Sequence, residues 1–215
     1  DLNLITKNAK VFDSMNETGK NPDTDFIRCE KKFLSGKEKS ILYIGFGEGQ
    51  NLIYLLKQGY PVVDGVEASK RRIEYVKKVI KQYRFNNLST LMHTTNNLIK
   101  ASNEAYDCVF GWQSLYYNNE HSFKIYLKEI YRVLKPNGSL VVSMISERHS
   151  FCKKDQDTAE RGVNAQGDCT FFCIRNMTHI EELFCQFRIE SVGYYDNDLF
   201  GDGTSNHHYV ILLKK

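Results

Sequence analysis

The sequence predicts an α/β fold: a doubly wound, mostly parallel seven-stranded sheet with an antiparallel edge pair and helices on both faces. Three observations carry this. Short apolar runs of strand length alternate with segments of helical period over most of the chain, the pattern of a parallel sheet covered on both sides. The first run, "SILYIGF", passes directly into glycines at every second position, Gly45, Gly47 and Gly49, and then into a helix. The last two runs, "RIESVGYY" and "HHYVILLKK", are separated only by "DNDLFGDGTSN". That loop is too short for a helical crossover, so the two strands should pair antiparallel at one edge.

Each element has its own signal. "GQNLIYLLKQGY" reads as a helix stopped by Gly59, and "PVVDGVE" as the second strand. "SKRRIEYVKKVIKQYRF" reads as a helix capped by Ser69, with Ile73, Val76, Ile80 and Tyr83 on its buried face. "STLMH" and "YDCVFGW" are the third and fourth strands. "EHSFKIYLKEIYRVL" carries a Phe123, Leu127, Ile130, Leu134 stripe. It should end at a turn, "KPNG", where Pro136 stops the helix and Gly138 takes the unusual backbone angles. "SLVVSMIS" is the fifth strand, and "THIEELFCQF" is a helix opened by Thr178 with Glu181 completing a capping box. A single domain, 1–215, is expected. Residues 1–38 would form an N-terminal helical cap, and 147–177, which has no clear period, an insert or lid over the acceptor site.

The 215 residues are 41% hydrophobic and 26% charged, an ordinary globular balance. No apolar run reaches membrane-spanning length, so no membrane association is expected. "DLNLITKNAK" at the start, which lacks an initiator Met, is too polar for a signal peptide. The net charge of +3 gives no argument for nucleic acid, which is disfavoured as a partner. The basic residues Lys70, Arg71, Arg72, Lys77, Lys78, Lys81 and Arg84 read as the solvated face of one helix. Six scattered cysteines read as free thiols in a reducing cytoplasm. Oligomeric state leaves no trace in the sequence.

Glycines between a strand and a helix let backbone pass close to a ligand and expose helix N–H groups to it. Glu67 closes the second strand twenty-two residues after Gly45, where a carboxylate can accept both hydroxyls of a ribose. The glycine spacing departs from the G-x-G-x-x-G of nicotinamide enzymes, which disfavours an oxidoreductase.

Four segments together, "ILYIGFGEGQN", "VVDGVEAS", "AYDCVFGWQSLYY" and "IYRVLKPNGSLVVS", resemble the class I S-adenosylmethionine-dependent methyltransferases from about residue 26 to the end. The resemblance implies S-adenosylmethionine as cofactor, with S-adenosylhomocysteine as product. It implies that Gly45, Phe46, Gly47 and Gly49, with Asn51 beside them, line the methionine and ribose part, that Glu67 binds the ribose hydroxyls, and that Ala68 lies against the adenine. Thr95 and Asn96 stand where the family often holds the adenine amino group with an Asp. Trp112, Gln113 and Ser114 would face the methyl group. Tyr43 stands where the family places an acid that organises the cofactor's ammonium. A tyrosine there carries no charge near pH 7, so another group, Glu48 or one from the N-terminal segment, would have to compensate.

Transfer to a hydroxyl or a charged amine needs a base. The candidates are His149 after the fifth strand, then His207 at the start of the last, with Tyr116 in the pocket wall. His207 and His208 are adjacent on a strand and point to opposite faces, so they are not expected to share a metal, and no metal is expected elsewhere. The Asn/Asp-Pro-Pro-aromatic motif of enzymes that methylate bases or glutamine amides is replaced by "GWQS". The reading is therefore methyl transfer to a small polar acceptor, a sugar or other metabolite hydroxyl or amine. The alternatives are a nucleic-acid methyltransferase and a non-catalytic protein that binds S-adenosylmethionine or a nucleotide.

Overall fold

The structure, a computed structural model, describes residues 21–85, 87, 89–150, 152, 162–163, 170–198 and 205–215. The element order is α1 (Thr24–Phe33), β1 (Ser40–Ile44), α2 (Gln50–Lys57), β2 (Val62–Glu67), α3 (Lys70–Tyr83), β3 (Leu91–His93), β4 (Tyr106–Gly111), a 3₁₀ turn (Leu115–Tyr117), α4 (Glu120–Val133), β5 (Leu134–Ile145), β6 (Gly162–Val163), β7 (Thr170–Phe171), α5 (Met177–Leu183), β8 (Arg188–Tyr195) and β9 (His208–Lys214). Seven strands form one sheet in the order β3-β2-β1-β4-β5-β9-β8. β1 to β5 pair in parallel, while β9 runs antiparallel to both β5 and β8. The step from β1 to β4 reverses the direction in which the sheet grows, so the carboxyl ends of β1 and β4 flank the switch point where ligands bind in such sheets.

The helices bury the faces that their apolar spacing marks. Phe123, Leu127 and Ile130 of α4 pack on one side of the sheet, and Ile73 and Val76 of α3 on the other. Ser69 caps α3 by accepting the Arg72 N–H at 3.2 Å. Tyr83 departs from the predicted stripe: it is 52% exposed, because the helix end has left the sheet, and its ring takes the Lys57 ammonium at 4.3 Å.

Three further expectations are corrected. The left-handed angle in "KPNG" belongs to Asn137 (φ 61°), not to Gly138, and β5 runs through the segment with an irregular register against β4. Gly138 is needed for space instead, since a Cβ there would lie 2.8 Å from the Lys135 carbonyl oxygen. Helix α5 is capped by Asn176, which accepts the His179 N–H at 2.9 Å, two residues ahead of Thr178. Finally, Cys152 and Cys173 form a disulfide, which removes the all-thiol argument for a reducing cytoplasm. The chain brings them together because Cys152 N–H bonds to the His149 carbonyl in the turn after β5, while Ile174 N–H bonds back to Ile145 at the end of that strand. Cys29, Cys108 and Cys185 are free, and Cys169 lies outside the described residues.

The returning end of the 147–177 insert is core rather than cover. Phe171, Phe172 and Ile174 are buried, and Phe172 N–H bonds to the Tyr116 carbonyl at 3.0 Å. Residues 1–20 of the expected cap and most of the insert, 153–161 and 164–169, lie outside the described residues.

Candidate active site

The glycine turn has two distinct causes. Gly45, Gly47 and Gly49 all have left-handed backbone, at φ 68°, 56° and 87°. A Cβ on Gly45 would lie 2.3 Å from Ser114 Cβ, and one on Gly49 2.8 Å from Val76 Cγ2. Those two glycines make room for the protein itself. At Gly47 the nearest atom to a Cβ would be Arg72 Nη1 at 3.8 Å, so the turn is open to a ligand there.

Glu67 stands across this opening. Its Oε2 accepts the Gly47 N–H at 2.9 Å, and its Oε1 accepts the N–H groups of Ala68 and Ser69 at 2.9 and 3.0 Å. The residue is 8% exposed, and burial pushes its carboxyl up against the pull of these amides and of Arg72. A carboxylate offers about four lone-pair positions. Three are filled, and the remaining one, on Oε2, suits one sugar hydroxyl rather than the pair expected. The open glycine and the part-filled carboxylate fit the ribose side of an adenosine cofactor. Phe46 is buried over Gly65, with Leu52 beside it.

Beyond β3 the expected adenine contacts diverge. Thr95 is half-buried, and Asn96 is exposed, with its side-chain oxygen accepting from Thr94 Oγ1 at 3.1 Å and Leu98 N–H at 3.3 Å. His93, which sequence reading passed over, lies closer to that wall. Its Nε2 meets the Ala68 carbonyl at 2.9 Å. Its signal was its place as the last residue of β3, beside the end of β2.

At the end of β4, Gln113 adopts φ 50° and is pinned by a 2.7 Å bond from its N–H to Ser143 Oγ on β5. Its amide nitrogen donates to the Tyr195 hydroxyl at 2.8 Å and lies 3.4 Å from Asp23 Oδ2. Ser114 donates to the Ile44 carbonyl at 2.8 Å, which locks β4's exit against β1's. Trp112 is buried, stacked on Tyr195 at 5.9 Å, and its indole N–H has no hydrogen-bond partner. Tyr43 is buried too, and its hydroxyl accepts from Asn51 at 2.8 Å. Glu48 takes no visible part in that contact.

The acceptor-side candidates fall on two faces of the sheet. Tyr195, His208 and Ile145 are register partners, so they share one face. His207 stacks on Tyr194 at 5.0 Å on the other. On the first face Tyr195 stacks on His208 at 4.9 Å, with Tyr116 at 5.8 Å and His149 at 5.2 Å from the same ring. His149 Nε2 lies 2.8 Å from Asn206 Oδ1. Burial raises the Tyr116 hydroxyl well above its usual value, which keeps it a neutral phenol.

His208 was noticed in the sequence only as a neighbour of His207, yet its geometry is the more telling. Its Nδ1 lies 3.0 Å from the Asn206 carbonyl oxygen. A carbonyl can only accept, so Nδ1 carries the proton and Nε2 holds a bare lone pair. That Nε2 is buried without a hydrogen-bond partner. Burial lowers the imidazole to about 4, so it is neutral near pH 7. The signal that could have found it is strand alternation, which puts position 208 rather than 207 opposite Tyr195 and on its face.

Comparison with known proteins places this arrangement. Residues 41–138 match the family model described as "Methyltransferase domain". No curated protein matches the sequence. Among solved structures, a SAM-dependent methyltransferase from Methanosarcina mazei has a TM-score of 0.71 at 18% identity, covering 91% of this chain and 98% of that one. The 1,6-didemethyltoxoflavin-N1-methyltransferase of Burkholderia thailandensis, with 1,6-didemethyltoxoflavin and S-adenosylhomocysteine bound, has a TM-score of 0.65 at 15% identity, covering 88% and 76%. A [4+2]-cyclase has a TM-score of 0.70 at 14% identity, covering 88% and 79%, so the fold alone does not dictate the reaction. The family match spans the glycine turn, Glu67 and the β4 exit, so residues 41–138 are similar to a methyltransferase domain, and the whole chain shares the fold of S-adenosylmethionine-dependent methyltransferases.

Proposed function

We propose that the protein methylates a small polar acceptor, a hydroxyl or amine of a sugar or other metabolite, at the carboxyl edge of β1, β4 and β5. The observation that carries the cofactor placement is Glu67, whose free Oε2 position faces the open side of Gly47. Gly45, Phe46, Gly47, Gly49, Asn51, Glu67 and Ala68 then form the nucleoside side, with Thr95 and Asn96 at its adenine end. Tyr43, Trp112 and Gln113 border the methionine end. The bound cofactor supplies a methyl group on a positively charged sulfur, a group already primed for displacement. What the chain must add is alignment, exclusion of water and a place for the acceptor's proton.

His208 is that place. An acceptor O–H or N–H would donate to its bare Nε2, which has the required tautomer because Asn206 holds the other ring nitrogen. His149 and Tyr116 pack around it and shape the pocket, and His207 faces away. Tyr195, stacked on both Trp112 and His208, links this base to the methionine end. A small acceptor is favoured over nucleic acid because a net charge of +3 gives no argument for a polyanionic partner. The toxoflavin enzyme, a relative in fold, also holds a small molecule at its site.

Two measurements test these roles. Glu67→Ala removes a charge-assisted contact of roughly 1.5–3 kcal/mol, so S-adenosylhomocysteine affinity should fall at least about tenfold in calorimetry. Unchanged affinity would put the ribose elsewhere. For the acceptor, a metabolite screen read by S-adenosylhomocysteine release identifies the substrate. On it, His208→Gln should lower turnover by roughly 10²-fold while cofactor affinity stays within about threefold. Full turnover in that variant, with a large loss in His149→Gln, would move the proton route to His149.

A further inference from the structure

We infer that Asp23 supplies the anion for the amino group at the methionine end of S-adenosylmethionine, in place of the acid that Tyr43 displaces from β1. The inference rests on the cofactor reading above and assigns one of its contacts to a different element of the chain.

The end of β1 has no charge to offer. Tyr43 is 2% exposed, and burial drives its hydroxyl further from ionisation. A carboxylate is nevertheless delivered to the same place from twenty residues upstream. Asn51, in the first turn of α2, donates to the Tyr43 hydroxyl at 2.8 Å and accepts the Asp23 N–H through its Oδ1 at 2.9 Å. One amide side chain thereby ties Tyr43 to Asp23. On the other side Asp23 Oδ2 lies 3.4 Å from the Gln113 side-chain nitrogen at the end of β4. Asp23 is thus held between the carboxyl ends of β1 and β4, at the switch point of the sheet.

Its position is built into the core. Asp23 is the N-cap of α1, its Oδ1 accepting the Phe26 N–H at 2.9 Å. Phe26 is fully buried among Tyr43, Phe110 and Trp112, with ring centroids at 5.5, 4.9 and 5.7 Å. The aromatic that replaced the acid is therefore part of the socket that fixes the new acid. Among the described residues, no Lys, Arg or His forms an ion pair with Asp23, and the side chains bonded to it, Asn51 and Gln113, are neutral. A half-buried carboxylate with neutral partners, and with a second carboxylate, Asp25, near by, calls for a cation, and an alkylammonium is the cation that the cofactor carries.

Asp23→Asn tests this, since asparagine caps a helix as well as aspartate does and keeps the side-chain shape. Calorimetry is run with two ligands: S-adenosylhomocysteine, and 5′-methylthioadenosine, which has the same nucleoside and thioether but no amino acid. The variant should lose roughly tenfold or more in affinity for the first and less than twofold for the second, because only the first presents an ammonium. Equal losses for both ligands, or no loss for either, would overturn the inference while leaving the cofactor site standing. If the unmodified protein binds neither ligand, the cofactor reading fails and this assignment fails with it.

Discussion

Two neighbouring glycines show how one motif answers two demands. Gly49 sits at φ 87° with Val76 pressed against the position a Cβ would take, so Gly49→Ala combines backbone strain with a steric conflict in the core. We expect a loss of roughly 2–3 kcal/mol in stability, seen as a lower melting temperature. Gly47→Ala keeps a tolerable left-handed angle and meets nothing closer than 3.8 Å. Its stability cost should be about 1 kcal/mol, the price of the left-handed angle alone. Cofactor affinity should fall more than in Gly49→Ala, since the new methyl group enters the space open to a ligand. Equal melting temperatures together with equal affinities in the two variants would defeat this division of labour.

At the scale of elements, the Cys152–Cys173 disulfide fastens the turn after β5 to the strand-like segment that returns beside the 3₁₀ turn. The two cysteines are 21 residues apart, and a loop of that size loses about 3 kcal/mol of unfolded-state entropy when closed. Reduction should lower the melting temperature by about 6–12 °C for a chain of this length. Thiol titration in denaturant should find two fewer reactive groups before reduction than after. An unchanged thiol count would mean that the bond does not form. This element also marks where the sequence stopped being legible. The strands, their order of appearance and the antiparallel edge pair follow from local apolar period and loop length, and the structure carries all of them. The disulfide could not be read, because spacing alone does not say which of six cysteines meet. The site divides in the same way. Gly47, Glu67 and Gln113 stand at strand ends that the sequence marks, whereas Asp23 and His208 reach the site through α1 docking and strand register. Both are long-range facts that no window of residues contains. Tyr83 was misread for a related reason: helical period continues past the point where α3 leaves the sheet.

Across the whole molecule, buried histidines tie stability to pH. Burial lowers His149, His179, His207 and His208 below the ordinary imidazole range, and His208 reaches about 4. The unfolded chain therefore binds more protons than the folded one between about pH 6.5 and 4, so stability rises with pH through that window. Put the other way, it is fully present above the unfolded value and lost as pH falls toward the folded one. For His208 the difference corresponds to about 3 kcal/mol. His149 and His207 oppose its protonation, while Asp196 favours it. The lowered carboxylates Glu30, Asp107, Glu120, Glu129 and Asp196 act in the same direction, but only below the usual carboxylate value. Glu67, raised by burial, works against them and gives stability as it protonates. Between pH 7 and 5.5 the histidines thus dominate. The melting temperature should decline over that interval, and His208→Gln should flatten the decline even if it lowers stability at pH 7. A slope identical to that of the unmodified protein would show that His208 takes up its proton alike in the folded and unfolded chain, and so that burial does not hold its imidazole neutral below the ordinary range.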